Sequence, residues 1–190
     1  TYIDSSSFRE CVGLTDIKVA EDNKVYDSRN NCNAIIKTET KELVFGCKNT
    51  VIPNNIKCIG YGAFDRCTGL TSIIVPDGVT KIDYGAFSDC TNLISITIPN
   101  SVTCIGDATF SGCTALTSVT IPDSVISVGC WVFQNCTNLT SVTISNGVTS
   151  IGDKAFYCTG LISVTIPSSV TSIGESAFGY HITFDDGEIK

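Results

Sequence analysis

The chain has 190 residues, a length that suits one domain with a sizeable core and does not require two. Hydrophobic residues make up 43% of the composition and charged residues 16%, which is too apolar for a disordered segment. The formal net charge of -7 argues against nucleic acid or an anionic membrane surface as the partner, because both require a basic face.

Nothing in the sequence suggests insertion into a membrane. No apolar run approaches the ~20 residues that span a bilayer, and the amino terminus lacks a basic stretch followed by an apolar one. The chain also starts in the middle of a repeat, so we expect a mature product or an excised fragment, with any export signal already removed.

Residues 1–66 form the irregular part of the chain and contain a predicted β-hairpin around residues 32–47. Two largely apolar segments flank a four-residue loop over 38–41, which is typical of such a hairpin. This register places Cys32 opposite Cys47, and directly opposed antiparallel residues come within ~4.5 to 5.5 Å. A disulfide between the two is therefore possible, with two free thiols as the alternative.

Residues 67–178 are built from a repeat with a period of about 23 residues. Its leucine column contains Leu70, Leu93, Leu116, Leu139 and Leu161, and only the last interval is one position shorter than the others. A second column contains Phe64, Phe87, Phe110, Phe133, Phe156 and Phe178, with Phe8 upstream. All five prolines share a third column. The interval from Leu14 to Leu70 exceeds two repeats by about ten residues, and this insertion accounts for the hairpin.

The repeat over residues 116–138 illustrates what each column does. Val119 and Ile121 alternate with polar residues, which predicts a short strand that buries these two side chains. Pro122 ends the strand because it cannot donate to a ladder, and a second short strand follows over 125–128. A glycine then begins a short helical turn, often with an acidic residue that can accept free amides, and the phenylalanine of that turn fills the core.

A single coil of this size cannot bury its own apolar edge, so neighbouring coils must stack and pair their strands in parallel. We therefore predict one mainly β solenoid domain over residues 1–190, built from one coil per repeat, with parallel strand ladders, short helical turns and an inserted hairpin. Residues 179–190 depart from the repeat and are predicted to form a carboxyl-terminal cap, with one extra strand over 181–184.

The outward positions of the first strands form two polar files along the predicted solenoid, here called the strand face. They are Ser72, Ser95, Ser118, Ser141 and Ser163 in one file and Ile74, Thr97, Thr120, Thr143 and Thr165 in the other. These are the candidate ligand-binding residues. Alternatively, small polar and β-branched residues simply tolerate close stacking of strands and contact with water. The face is wide, flat and poor in aromatic anchors, which favours avidity or fibrous partners over tight single-site recognition.

Eleven cysteines raise the question of disulfides or a metal site. Six share one column beside the core phenylalanines, namely Cys11, Cys67, Cys90, Cys113, Cys136 and Cys158. This arrangement predicts a ladder of buried free thiols. Cys58 and Cys104 lie two coils apart with Lys81 between them, too far to bond. We expect no metal, because the chain has no C-x-x-C motif and its single histidine, His181, lies far from the column.

Catalysis is not expected either. An enzyme needs a nucleophile beside a base, or paired carboxylates in a cleft, and a solenoid with one histidine and regularly spaced acids supplies neither. Trp131, the only tryptophan, replaces a small residue found at the equivalent Ala108 and Gly85, so it should protrude from a turn. It is either a binding anchor or a ring that lies against its own coil.

These columns together resemble the BspA-like class of leucine-rich repeat, found in surface proteins of anaerobic bacteria and of some protist parasites. The signature L-x-x-[IV]-x-I-P, V-x-x-I-G, A-F-x-x-C is met almost in full over 93–113 and 139–158, and the hairpin segment also looks like the family's. The departures are Asp83 for glycine, Ser145 for proline, Val132 and Thr109 for alanine, and one residue missing between Phe156 and Cys158.

The resemblance implies a leucine-rich-repeat solenoid that is secreted or anchored at the cell surface and acts in adhesion, with a host or microbial protein or a glycan as partner. It brings no catalytic residues to this chain, and we expect no cofactor. The expected function is a non-catalytic binding module that contacts its partner through the strand face. The alternatives are a structural spacer of a larger surface protein, with no ligand of its own, and an end-to-end assembly of solenoids.

Overall fold

The computed structural model describes residues 3–8 and 11–179, which form a β-solenoid of about five turns. The predicted fold class is confirmed, since strands dominate and the parallel ladders join strands about 23 residues apart. Within the described part of the chain, helix is limited to two short 3-10 segments, Ser5–Phe8 and Arg29–Asn31. Apart from Gly179, the predicted cap over 179–190 lies outside the described residues.

Each regular coil carries two short strands, as predicted, except that residues 163–165 form none. In chain order the strands are β1 (Tyr26–Asp27), β2 (Ala34–Lys37), β3 (Glu42–Gly46), β4 (Cys58–Ile59), β5 (Ser72–Ile74), β6 (Lys81–Ile82), β7 (Ser95–Thr97), β8 (Cys104–Ile105), β9 (Ser118–Ile121), β10 (Ser127–Val128), β11 (Ser141–Ile144), β12 (Ser150–Ile151) and β13 (Ser172–Ile173). The strands β5, β7, β9 and β11 begin two residues after a leucine and carry the strand face.

The second strands of the coils form one continuous ladder. Strands β4, β6, β8, β10, β12 and β13 pair in parallel, with partners such as Lys81 and Cys104 one repeat apart. The hairpin extends this ladder through β3, β2 and β1 to nine strands. The first strands form two shorter parallel pairs, β5 with β7 and β9 with β11. The second ladder is therefore the continuous backbone of the solenoid, and the strand face is built on shorter pieces.

The predicted hairpin is present, but its register differs from the prediction. Strands β2 and β3 pair antiparallel, and a bulge in the middle of the pair shifts the alignment by one residue, so that Ala34 faces Gly46. The same shift takes Cys32 out of its predicted position opposite Cys47. The sulfur of Cys47 lies instead 3.6 Å from the carbonyl oxygen of Asn33. The predicted register is therefore wrong beyond the bulge, because the length of the loop does not reveal an extra residue within one of the strands.

The hairpin also separates two apolar clusters. One of its faces packs Ile36 and Leu43 against the main core, which runs along the whole solenoid. Its other face packs Phe45 into a smaller cluster near the amino terminus. Cys32 belongs to the main core and Cys47 to the smaller cluster, and both thiols are free. The possible disulfide is thus not formed, since the two side chains lie on opposite faces of the hairpin.

Phenylalanine rings form an unbroken stack through the main core. Successive ring centroids lie 5.0 to 5.5 Å apart and the planes are nearly parallel, from Phe64 through Phe87, Phe110, Phe133 and Phe156 to Phe178. Phe8 does not join this stack, contrary to the column assignment. Its ring lies 4.6 Å from that of Phe45, in the smaller cluster behind the hairpin. The inserted hairpin stands between Phe8 and the core it was expected to enter.

The stretch that was expected to be a short helical turn is a run of hydrogen-bonded turns. In four successive coils three amides donate to carbonyls of the next coil, and the donors Gly85, Phe87 and Asp89 bond to Asp107, Thr109 and Ser111. Gly85 and Asp89 have positive φ angles of 58° and 54°. Amides that point to the next coil cannot also close a helix, so the coils gain a third hydrogen-bonded column instead.

The buried thiol ladder is shorter than predicted. Cys90, Cys113 and Cys136 are buried and Cys67 is half-buried, but Cys11 and Cys158 are exposed. Each buried thiol lies 3.1 to 3.2 Å from the carbonyl oxygen of the phenylalanine one coil earlier. Cys158 instead takes the position of Asn135, two residues after the phenylalanine, and both have positive φ angles of 56° and 61°. The missing residue therefore follows Cys158, and the shortened turn directs its side chain outward.

Candidate functional site

All ten predicted residues of the strand face are exposed. In the paired strands the two files are in register, with Ser72 beside Ser95 and Ser118 beside Ser141. Parallel neighbours lie about 4.8 Å apart, and residues two apart along one strand lie about 6.6 Å apart. Over the paired strands, the side chains therefore form a regular surface grid. Beyond Ile144 the grid continues without a formed strand, because Ser163 and Thr165 lie outside regular secondary structure.

The hydroxyl groups of the strand face are free of hydrogen bonds to the residues that the structure describes. None of the nine makes a hydrogen bond to another group in the described part of the chain. Threonines beside the second ladder behave differently: the hydroxyls of Thr80, Thr103, Thr149 and Thr171 donate to carbonyl oxygens one coil earlier, over 3.2 to 3.3 Å. The fold thus uses one set of hydroxyls to join its coils and leaves the strand-face set available to a ligand.

The strand face carries no charge. No residue of β5, β7, β9 or β11 is ionisable, and neither is any residue over 163–165. Acidic residues stand instead in the turns that follow these strands, as at Asp77 and Asp123. Removing water from a hydroxyl costs much less than removing it from a charge, so this face can be covered by a partner at modest cost.

Apolar side chains interrupt the polar files near the hairpin. Val51 and Ile74 stand at equivalent positions one repeat apart and are 72% and 81% exposed. Ile94 and Ile162, each directly after a leucine of the repeat, are further exposed apolar residues, 53% and 89% exposed. The pair near the hairpin adds a small apolar patch to a surface that is otherwise polar.

Several thiols of the solenoid are not activated as nucleophiles. Burial raises the pKa of the Cys136 thiol to about 12 and that of the Cys67 thiol to about 11. The pKa of Cys58 is likewise raised to about 11, first by burial and then by the nearby Glu42 carboxylate. Because the thiolate is the nucleophile, these shifts make the groups poor nucleophiles at neutral pH. Cys58 and Cys104 pair with Lys81 from opposite sides, as the repeat register predicts.

The described residues contain no cluster of metal ligands, and the cleft beside the hairpin is too small for a substrate. No three histidine, cysteine or acidic side chains among them lie close enough to hold a metal ion, and His181 is outside the described range. A cleft lined in part by Phe8, Phe45 and Arg66 encloses about 10 Å³, which is room for one water molecule. Across the same residues, no helix is both long and apolar enough to span a bilayer.

A second surface was only partly anticipated by the sequence. It is formed by the residues just after the second strands, at 60–62, 83–85, 106–108, 129–131, 152–154 and 174–176, and is here called the turn edge. Trp131 protrudes from this edge, as predicted, and is 39% exposed. Tyr61 and Tyr84 stand on the same edge and are 61% and 43% exposed. Reading the tyrosines in the repeat register would have placed them there beforehand.

The repeat pattern matches a known family. Residues 35–122 and 82–186 match the family described as BspA type leucine rich repeat region, in six copies. The chain belongs to this BspA-type leucine-rich repeat family. The resemblance inferred from the column pattern is thereby confirmed, and the BspA-type match indicates no catalytic family.

Solved structures of bacterial leucine-rich repeat proteins share the fold of this chain. A leucine-rich repeat protein from Eubacterium ventriosum has a TM-score of 0.72 and 26% identity, over 95% of this chain and 56% of that one. A leucine rich cell surface protein from Faecalibacterium prausnitzii has a TM-score of 0.56 and 29% identity, over 87% of this chain and 53% of that one. The T. pallidum leucine rich repeat protein has a TM-score of 0.63 and 23% identity, over 88% of this chain and 91% of that one, and it shares the fold.

The comparisons establish family and fold but name no ligand. No curated protein matches this BspA-type chain significantly. The chain spans about half the length of the first two solved structures. The binding role of the domain is therefore argued from its own surface chemistry.

Proposed function

We propose that this BspA-type domain is a non-catalytic binding module of a secreted or cell-surface protein, and that it adheres to a protein or glycan through the strand face. The observation that carries the proposal is the set of nine exposed hydroxyls that have no hydrogen-bond partner within the described chain. The likeness to a leucine rich cell surface protein supports the location.

A grid of hydroxyls suits a partner that is itself extended or repetitive. Each hydroxyl can donate one hydrogen bond and accept up to two, and each such bond adds only about 0.5 to 1.5 kcal/mol. Many equivalent contacts in a row then produce useful avidity, whereas a small isolated ligand would be held weakly. Because the face is uncharged, we expect binding that changes little with ionic strength.

The test is a binding assay against immobilised extracellular-matrix proteins, mucins and glycans. The double variant Ser118→Arg, Thr120→Arg places two long charged side chains in the middle of the grid. Its matched control is Cys104→Arg, Ser127→Arg, which adds the same charge to the second ladder, in the column where Lys81 already tolerates a basic residue. Thermal unfolding of both variants establishes that they remain folded.

We expect saturable binding of the native chain, lost in the strand-face variant and kept in the control. Equal loss in both variants would argue against the strand face as the contact surface. Absence of binding to every partner of the panel would overturn the adhesion proposal and favour a structural spacer, whose strand face should tolerate both substitutions.

A further inference from the structure

We infer that the turn edge is a second binding surface and that it takes a cationic, arginine- or lysine-rich segment of a partner protein. This surface lies beyond the second strands and shares no residue with the strand face. The inference rests on its aromatic side chains, its backbone conformation and its charge. It does not depend on whether the strand face binds anything.

In the part of the chain that the structure describes, exposed aromatic residues are confined to this edge. Among the described residues, the exposed aromatic side chains are Tyr61, Tyr84 and Trp131. The rings of Tyr61 and Tyr84 stack with their centroids 5.3 Å apart and an interplanar angle of 9°. Trp131 stands two coils further along, about 10 Å from Tyr84 at one strand spacing per coil. Tryptophan and tyrosine are enriched among the residues that contribute most binding energy at protein interfaces, and the strand face contains neither.

The fold itself does not call for a tryptophan at position 131. Trp131 has a φ angle of +58°, and the equivalent positions, all with positive φ, hold Gly62, Gly85, Ala108, Lys154 and Ser176. A bulky side chain is uncommon in this left-handed region, where glycine fits without strain. The indole N–H of Trp131 also lacks a hydrogen-bond partner in the described chain. A strained, partly exposed and unpartnered tryptophan points to a role in binding.

Aspartates stand on both coils next to that of Trp131. A carboxylate oxygen of Asp107 accepts a hydrogen bond from the backbone amide of Cys130 over 2.9 Å. The backbone amide of Trp131 donates to the backbone carbonyl of Asp153 over 2.9 Å. Each aspartate therefore belongs to a coil in direct contact with that of the tryptophan. The single basic residue of the turn edge, Lys154, has its Nζ 6.0 Å from the ring centroid of Tyr157.

Charge complementarity selects the occupant. The whole chain carries -7, and residues 67–179 contain seven acidic and two basic side chains. A guanidinium or ammonium group can lie over an aromatic ring while it donates hydrogen bonds to a carboxylate beside it. Trp131 stands on the coil between those of the two aspartates, with the Asp107 carboxylate at the amide of Cys130 and the Asp153 carboxylate at the amide of Glu175. A neutral glycan would use the ring without gaining from the negative charge.

The sole tryptophan makes the edge directly observable. We expect the peptide (Gly-Arg)4 to change Trp131 fluorescence saturably and (Gly-Ser)4 to leave it unchanged. Asp107→Asn with Asp153→Asn should weaken binding about tenfold, through the loss of charge-assisted contacts. Asparagine keeps the oxygens that accept the Cys130 and Glu175 amides, so the coils stay joined. Trp131→Gly, followed with fluorescein-labelled peptide, should also lose about tenfold, and glycine already occupies this column.

The matched control removes equal charge elsewhere. Asp77→Asn with Asp123→Asn alters two acids in the other turns and should change peptide affinity by less than about twofold. An equal loss in this control would mean general attraction to an acidic protein and would overturn the inference. So would a fluorescence response to maltoheptaose but none to (Gly-Arg)4. The strand-face variant Ser118→Arg, Thr120→Arg should bind the peptide as the native chain does, which separates this inference from the proposed function.

Discussion

Threonine performs two different tasks in this protein, and the difference lies in what its hydroxyl meets. At Thr149 the hydroxyl donates to the carbonyl oxygen of Ile126 in the preceding coil, over 3.2 Å. Thr120 stands on the strand face with no such partner among the described residues. Both side chains are exposed and β-branched, so neither burial nor conformational preference distinguishes them. Only the hydrogen bond between coils does.

Valine substitutions should separate the two tasks. Thr149→Val removes the bond between coils and should lower the free energy of unfolding by about 0.5 to 1 kcal/mol. Thr120→Val removes a hydroxyl that bonds only to water and should change it by about 0.3 kcal/mol or less. Urea-induced unfolding of both variants measures the difference. A loss at position 120 as large as that at 149 would contradict the assignment of free hydroxyls to the strand face.

At the scale of elements, stability depends on columns that run from coil to coil. Phe110 is fully buried, with ring centroids of its neighbours Phe87 and Phe133 at 5.5 and 5.3 Å. Each coil contributes one such ring, and none could be buried by its own coil alone. The stack therefore couples neighbouring coils, in addition to their hydrogen-bonded ladders.

Shortening the ring at the centre of the stack should have a graded effect. We expect Phe110→Ala to destabilise the protein by about 3 to 5 kcal/mol, through lost burial and a cavity. Phe110→Leu retains most of the volume and loses the ring contacts, so it should cost about 1 to 1.5 kcal/mol. Guanidinium-induced unfolding measures both values. Equal costs for leucine and alanine would mean that the volume retained by leucine does not stabilise the core, and a leucine variant as stable as the native chain would mean that the stacked ring contributes nothing beyond its volume.

At the scale of the whole molecule, the hairpin closes the amino-terminal end of the solenoid. Strand β3 pairs with β4, and the amide of Gly46 donates to the carbonyl of Ala63 over 2.9 Å, at the start of the turn column. Ile36 and Leu43 cover the end of the main core. Without these residues, the edge of β4 and the apolar end of the core would face water together, a combination that favours association between chains.

Removal of the hairpin should therefore cause self-association. A chain that begins at Pro53 should form dimers or larger aggregates. A chain that begins at Val12 keeps the hairpin and should have the same oligomeric state as the native chain. Size-exclusion chromatography with light scattering distinguishes the species. If the chain that begins at Pro53 had the same oligomeric state as the native chain, the hairpin would not be a protective cap.

The period of the sequence by itself determined the solenoid, the two strands of every regular coil but the last and the direction of most side chains. A repeated local conformation gives each column one environment. Counting in steps of one repeat was therefore enough to place the ten strand-face residues on the surface and the phenylalanines from Phe64 to Phe178 in the core. The same counting placed Trp131 on an exposed turn.

Only the tertiary structure decided the features that depend on contacts between coils. The bulge that separates Cys32 from Cys47, the outward turn at Cys158 and the partner of each threonine hydroxyl could not be read from the repeat. The physical reason is that hydrogen-bond partners in this protein lie one coil away, some 22 to 26 residues along the chain. A single added or missing residue changes which groups meet, while the periodic pattern around it remains the same.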